Sequence, residues 1–247
     1  MHSKEILYKE SRIKILTDKK ELIPLAFAEL VRQRSLLERY IKKDRFFETS
    51  LEPVKVPKSA PQIVKTMSKA GIIAGVGPMA AVAGTISELL SEKLISSGAK
   101  TAISENGGDI FAITETPVLV GLYVTKKPLT GKIAFRLDKK NTPLSICSSS
   151  SIMGHSLSFG DCDLATVFSK SGSISDASAT ALCNRVKKEE DIDSALNWVI
   201  ALKGVEGALV IKNDKIGMIG TIPEMIRTGD KKIREKVTRF DNHNLDL

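Results

Sequence analysis

Two short apolar runs, at residues 6–8 and 13–16, are separated by polar turn residues and predict a β-hairpin at the amino end. The spacing then changes from strand to helix. Leu22, Phe27, Leu30, Val31, Leu37 and Ile41 recur at near-helical intervals and predict a long helix over 21–42, with Asp18 as its cap. Three prolines between residues 52 and 61 mark a surface crossing. A helix over 61–70, stopped by Gly71, leads into a glycine-rich turn. Beyond it Met79, Val82, Ala83, Ile86, Leu89 and Leu90 form one apolar stripe, predicting a second helix over 78–97.

After Gly98 the pattern shortens to strand-length runs at 101–104, 109–114, 118–125, 132–137, 144–148 and 164–169. Helices follow over 174–186 and 191–201. A hairpin of 208–211 and 216–219 turns at Asn213-Asp214, and a charged, peripheral tail runs over 231–247. Strands adjacent in sequence and joined by short turns predict antiparallel sheets with helices packed on one face, an α+β fold. Residues 1–60 form a hairpin and long helix within the same globule, and 61–247 form the α+β core with its charged tail.

Residues 70–87 carry no charge, a length at which a membrane helix becomes a candidate. Gly71, Gly75, Gly77, Pro78 and Gly84 interrupt it and its side chains are small, so a buried loop and helix is the better reading. The composition, 42% hydrophobic and 27% charged over 247 residues, is that of a globular protein and excludes disorder as the main state. Three cysteines without metal spacing, and no apolar leader, predict a reduced, cytoplasmic protein.

The net charge of +8 invites a nucleic-acid reading, but the excess is not clustered at any motif. Residues 1–60 hold 14 basic and 9 acidic side chains, whereas 187–247 hold 11 of each. Residues 145–178 hold 12 of the 24 serines, three aspartates and a single basic residue, Lys170.

Four segments carry candidate chemistry. Gly75-Val76-Gly77-Pro78 opens a helix, where backbone N–H groups bind phosphate; a tight turn explains it equally. Glu105-Asn106-Gly107-Gly108-Asp109 lies between two strands. Asn-Gly satisfies a hairpin, and the second glycine flanked by carboxylates exceeds what a turn requires. Ser148, Ser149 and Ser150 follow a strand, with His155 nearby; these suit ribityl or phosphate oxygens, or else a surface loop. Asp176 and Thr180, four apart on a helix, place a carboxylate and a hydroxyl on one face, a donor pair suited to Mg²⁺. The alternative is a first-turn acid favoured by the helix dipole.

Taken in order, Gly77-Pro78-Met79-Ala80-Ala81-Val82, Glu105-Asn106-Gly107-Gly108-Asp109-Ile110 and Ser175-Asp176-Ala177-Ser178-Ala179-Thr180-Ala181 resemble the ApbE superfamily of FAD:protein FMN transferases, closest to a short branch of it. The resemblance covers roughly residues 71–186. It implies two tunnelling-fold-like halves, with FAD or FMN between the lobes and Mg²⁺ held by Asp176 and Thr180. Catalytic roles fall on Asp176 and on His155, the counterpart of the family's histidine. Gly75, Gly77, Met79, Asn106, Gly107, Gly108, Asp109, Ser148, Ser149 and Ser150 would contact the cofactor. The partners implied are a small nucleotide-like ligand and a protein substrate, with a homodimer as the assembly to look for and neither nucleic acid nor membrane involved. The family's Lys-Gly before the small-residue helix is Gly77-Pro78 here, removing one cation. A non-catalytic or regulatory protein holding a pterin, purine or other heterocycle in the same pocket is the second reading.

Overall fold

The structure, a computed structural model, describes residues 1–122, 133–151 and 162–227. The hairpin is β1 (His2–Tyr8) and β2 (Ser11–Thr17). Helices α1 (Ile23–Lys43), α2 (Arg45–Thr49), α3 (Gln62–Ala74) and α4 (Val82–Ser96) follow. Next come β3 (Ala102–Asn106), β4 (Asp109–Ile113), β5 (Val118–Leu122), β6 (Ile133–Leu137), β7 (Leu144–Ser149) and β8 (Leu164–Ser169). The chain continues with α5 (Gly172–Arg185), α6 (Ile192–Ile200), β9 (Val205–Lys212), β10 (Lys215–Gly220) and β11 (Glu224–Arg227). The predicted histidine, His155, and the tail at 231–247 lie outside the described residues.

Eight strands form one antiparallel sheet in the order β1-β2-β3-β4-β7-β8-β9-β10. The order divides into two halves of like topology. In each, two strands are followed by helices and two further strands, and the halves join where Ile110 of β4 lies opposite Ile146 of β7. All the helices of the core lie on one face, over the clusters that hold Ile13, Leu30, Ile86 and Leu90 in the first half and Val167, Leu182 and Val210 in the second.

The other face carries a second sheet, whose position and strand membership the sequence pattern did not indicate. β5 and β6 leave the main sheet and pair with β11 in the order β11-β6-β5. The reason lies in the central strands. Ile103, Ile110, Ala112, Leu144, Ile146 and Phe168 project away from the helices and would meet water, and Val120, Phe135 and Leu137 of the small sheet bury them. The strand β11 itself had no sequence signal.

Three boundaries differ from expectation. Asp18 does not cap α1; its Oδ1 accepts the N–H groups of Lys100 (3.0 Å) and Thr101 (2.9 Å), fastening the hairpin to the start of β3. Helix α3 runs through Gly71 to end at Gly75, whose positive φ of 72° supplies the left-handed cap. Gly71 is needed for approach rather than for termination, since an added Cβ would lie 2.7 Å from the Val76 carbonyl oxygen. Helix α5 begins two residues earlier than predicted, so Asp176 is its fifth residue and not a first-turn acid.

The uncharged stretch is bent, not continuous. Helix α3 and the segment Pro78–Ser96, which opens with a 3-10 turn over Pro78–Ala81, meet at 105°, and no single described helix is long and apolar enough to cross a membrane. Helices α4 and α5 touch backbone to backbone. A Cβ on Gly84 would overlap the Gly172 carbonyl oxygen, and a Cβ on Gly172 would overlap that of Gly84. Alanine normally favours a helix by about 1 kcal/mol over glycine. Here the sign reverses: Gly84→Ala is expected to cost about 3 kcal/mol or more by overpacking. Thermal unfolding checks this, and the expected fall is roughly 10 °C.

Candidate functional site

The crossing of α4 and α5 organises the site. Asp176 lies one turn after Gly172, and its Oδ2 accepts the N–H of Gly84 at 2.8 Å. Glu88 lies one turn after Gly84, and its Oε2 accepts the N–H of Gly172 at 2.8 Å and the Ser171 hydroxyl at 3.3 Å. Each helix therefore caps the other, four residues on from its own glycine. Free N–H groups at a helix start need acceptors, and each carboxylate gains the positive end of a dipole.

Serines seat the helices on the sheet. Ser87 Oγ donates to the Asp109 carbonyl at 2.9 Å, Ser91 Oγ to that of Phe111 at 3.0 Å, and Ser175 Oγ to that of Val167 at 2.6 Å. These short side chains let α4 and α5 approach the strands closely. Helix α5 is buried almost all round, from Gly172 to Cys183, which is why the sequence shows no polar face there.

Under α5, at the β4–β7 junction, lie Asp109, Cys147 and Asp176. Asp109 Oδ1 accepts the N–H of Ser148 at 3.1 Å, and that N–H and the nearby Cys147 thiol favour its charged form. Cys147 Sγ is 3.3 Å from Ser145 Oγ and 3.8 Å from the Gly172 carbonyl oxygen. Burial pushes both carboxyl groups up from the ordinary aspartate range. For Asp176 the charge of Asp109 pushes further, while the N–H groups of Gly84 and Ala83 pull back. Burial and both carboxylates hold the Cys147 thiol in its protonated form. Among the described residues, no basic side chain forms an ion pair with Asp109 or Asp176.

Thr180 is buried on α5 one turn beyond Asp176. Asn106 is half-buried and pairs with Asp109 across the turn. Gly107 and Gly108 are the two central residues of that turn, at φ 65° and 99°. A two-residue turn with positive φ at both positions requires both glycines, which corrects the expectation that the second is surplus to the hairpin. Ser148 Oγ is 2.9 Å from Thr166 Oγ1. Ser149 ends β7, and Ser150 is buried just beyond it.

The glycine turn between α3 and α4 sits apart from the carboxylates in its contacts. Gly75 is exposed with open space around it, whereas a Cβ on Gly77 would overlap the Ser50 carbonyl oxygen. Met79 is half-buried against the first core cluster. His155, the assigned catalytic histidine, lies outside the described residues.

Two contributors had not been singled out, Glu88 and Cys147, and a third, Glu105, had been marked only as a flank of the glycine turn. The first was readable from Gly84-x-x-x-Glu88 and Gly172-x-x-x-Asp176, the same spacing in two helices. Glu105 was visible as a carboxylate flanking the glycine pair, with no role of its own. It is 5% exposed, and its Oε2 has no hydrogen-bond partner. Burial raises it to about 7; Lys14 pulls it down, while Asp109 and Glu5 push it up.

A family model described as "AbpE bacteria" matches residues 3–216. The UPF0280 protein of Methanocaldococcus jannaschii is 44% identical over 93% of this chain and 95% of its own. That of Methanosarcina acetivorans is 40% identical over 89% and 87%. Among solved structures, the flavinyl transferase ApbE of Pseudomonas stutzeri, in its apo form, superposes with a TM-score of 0.56 at 13% identity, covering 95% of this chain and 96% of that one. The apbe protein of Thermotoga maritima gives 0.52 at 11% identity, covering 95% and 98%.

Glu105 gives a pH prediction whose sign is fixed. Its folded value lies above that of the unfolded chain, so the folded state binds the extra proton between roughly pH 4.3 and 7. Stability is then lost as pH rises through that window. Glu105→Gln should match the parent near pH 4 and exceed it by up to about 3 kcal/mol above pH 7. Urea denaturation at the two pH values measures the difference.

Proposed function

Because the chain belongs to the ApbE-like family, in its UPF0280 branch, we propose that it binds a flavin nucleotide, FAD or FMN, together with a divalent cation, and transfers the FMN moiety of FAD to a protein hydroxyl. One observation carries the reading: two buried carboxyl groups, Asp109 and Asp176, meet at the junction of the halves with no cationic side chain paired to them among the described residues. Buried carboxylates require a proton or a cation, and a nucleotide's phosphates require the cation as well.

The donor set fits Mg²⁺. It consists of hard oxygens, the Asp176 carboxylate and Thr180 hydroxyl on one helix face with Asp109 beside them. Among the described residues no group of three or more His, Cys, Asp or Glu side chains encloses a metal. Magnesium prefers such a sparse set, keeping positions for phosphate and water. The Gly84 N–H occupies one lone-pair direction of Asp176 Oδ2 and leaves others for a cation. When bound, the ion would offset charge on the phosphate oxygens.

The chain's own groups supply orientation. The mutual capping holds Asp176 in one position, and the Ser148 N–H does the same for Asp109. The side-chain-free turn at Gly107 and Gly108 lets a planar ligand approach the backbone. In the transfer, the acceptor hydroxyl oxygen bonds to the flavin-side phosphorus. The bond from that phosphorus to the AMP oxygen breaks, and AMP leaves. The resemblance gives the base role to His155.

Incubation with FAD and MgCl₂ should yield protein-bound flavin and free AMP, both abolished by EDTA. Bound flavin without AMP would keep the flavin site and remove the transfer, whereas a tight ligand other than FAD, with no turnover and no need for Asp176, would favour the second reading. Because Asp176 also caps α4, Thr180→Val is the cleaner variant. It should weaken cation-dependent flavin binding by at least about tenfold, a loss typical even of groups that only orient a ligand. Its melting temperature should stay close to that of the parent. Unchanged binding would remove Thr180 from the site.

A further inference from the structure

We propose that Glu105 holds the ring of the nucleotide, through a ring edge that presents an N–H donor beside an acceptor; this assignment rests on the flavin-nucleotide reading above. Glu105 is nine-tenths buried, yet its Oε2 bonds to nothing. An orphaned buried oxygen costs about 1–3 kcal/mol, and native proteins leave very few. Lys14 lies opposite on β2, but no hydrogen bond joins the two, and Ile110 lies opposite on β4. The sheet therefore provides the carboxyl with a nearby charge and no partner.

Position supplies the rest of the argument. Glu105 is on the last turn of side chains before Gly107 and Gly108. At either glycine an added Cβ would meet no atom within 4 Å. Strand alternation puts Glu105 and Ile110 on one face of the sheet and Asp109 on the other. A ligand crossing this bare turn has Glu105 at one end and the Asp109–Asp176 pair at the other. A nucleotide has that form, with a hydrogen-bonding ring at one end and cation-binding phosphates at the other.

The carboxyl also suits the edge in kind. Protonated, it offers one donor and one acceptor, matching the imide edge of a flavin or the amino-azine edge of adenine. Lys14 on β2, Asp109 on β4 and Glu5 on β1 are the charges that act on it. A glutamine would preserve the donor–acceptor pair at every pH, whereas a leucine would remove it and fill the space with carbon.

The experiment measures equilibrium binding of FAD, FMN and AMP, with MgCl₂, to the full chain and to its Glu105→Gln and Glu105→Leu variants, alongside melting temperatures without ligand. Glu105→Gln should bind FAD within about threefold of the parent at pH 6, and Glu105→Leu should bind at least about tenfold more weakly, the equivalent of one lost bond to a buried polar group. The unliganded Leu variant should melt at or above the parent temperature, because an orphaned carboxyl has been removed. A loss that follows FMN assigns the flavin ring to Glu105, and one that follows AMP assigns the adenine. A Leu variant that melts lower and binds all three ligands normally would make Glu105 structural and overturn the proposal alone. A parent chain that takes up no FAD would overturn the flavin reading, and this assignment with it.

Discussion

The mutual capping of α4 and α5 is the constraint on which the architecture depends. Two helices begin inside the protein, where their free N–H groups cannot reach water, and each finds its acceptor on the other. The arrangement works only at close range, which Gly84 and Gly172 permit by having no side chains at the crossing. It also gives two acidic side chains a tolerable interior, since each faces the positive end of a helix dipole. Asp176 is thereby tied to the fold before any ligand is considered. A residue held this way has one position, which is what a cation ligand needs and what a flexible surface aspartate lacks.

That crossing lies over the seam between the two halves. Each half contributes four strands to the main sheet, and β4 and β7 join them through three opposed residue pairs. The site draws on both sides of this seam, with Asp109 from the first half and Cys147, Ser148, Asp176 and Thr180 from the second. The β5–β6 excursion, emitted between the halves, returns as a second sheet over the far face and buries the apolar side chains there. The seam is thus covered on both faces by secondary structure, with its loops at the strand ends.

The parts of the fold legible in the sequence are those governed by local pattern. The stripe from Met79 to Leu90 marks α4, and the hairpins at both ends of the chain follow their turn residues. The missed features depend on distant partners. Asp18 reads as a cap until Lys100 and Thr101, more than eighty residues away, take its oxygen. Gly71 reads as a stop until Val76 folds back upon it. The second sheet was hidden because β5 and β6 look like any other strands, and only the apolar outer face of their neighbours requires them elsewhere. Of the candidate site, Asp109, Asp176 and Thr180 drew notice in the sequence because small residues and glycines surround them. Glu88 was passed over because an acid within an amphipathic helix normally belongs to the wet face. Glu105 was named as a flank of the glycine turn, but its burial was not legible, because charge in a strand signals exposure.

Charge distribution finally bears on how the proposed site would fill. Some of the basic side chains of the first sixty residues are paired within that segment: Lys9 and Arg34 with Glu38, Arg34 with Glu10, Arg12 with Glu5, and Arg32 with Glu29. Exposed pairs of this kind contribute little to stability. They do, however, break up the continuous cationic stripe that a nucleic-acid groove would need. The interior holds acids instead: Asp109, Asp176 and Glu105 are buried, and burial favours the protonated form of all three. In their ionised form these groups would repel a pyrophosphate, and low dielectric strengthens the repulsion. A divalent cation reverses the local sign and is the largest single charge the site would hold. On the proposed reading, nucleotide affinity should therefore depend on the cation, which would bind before or together with the nucleotide.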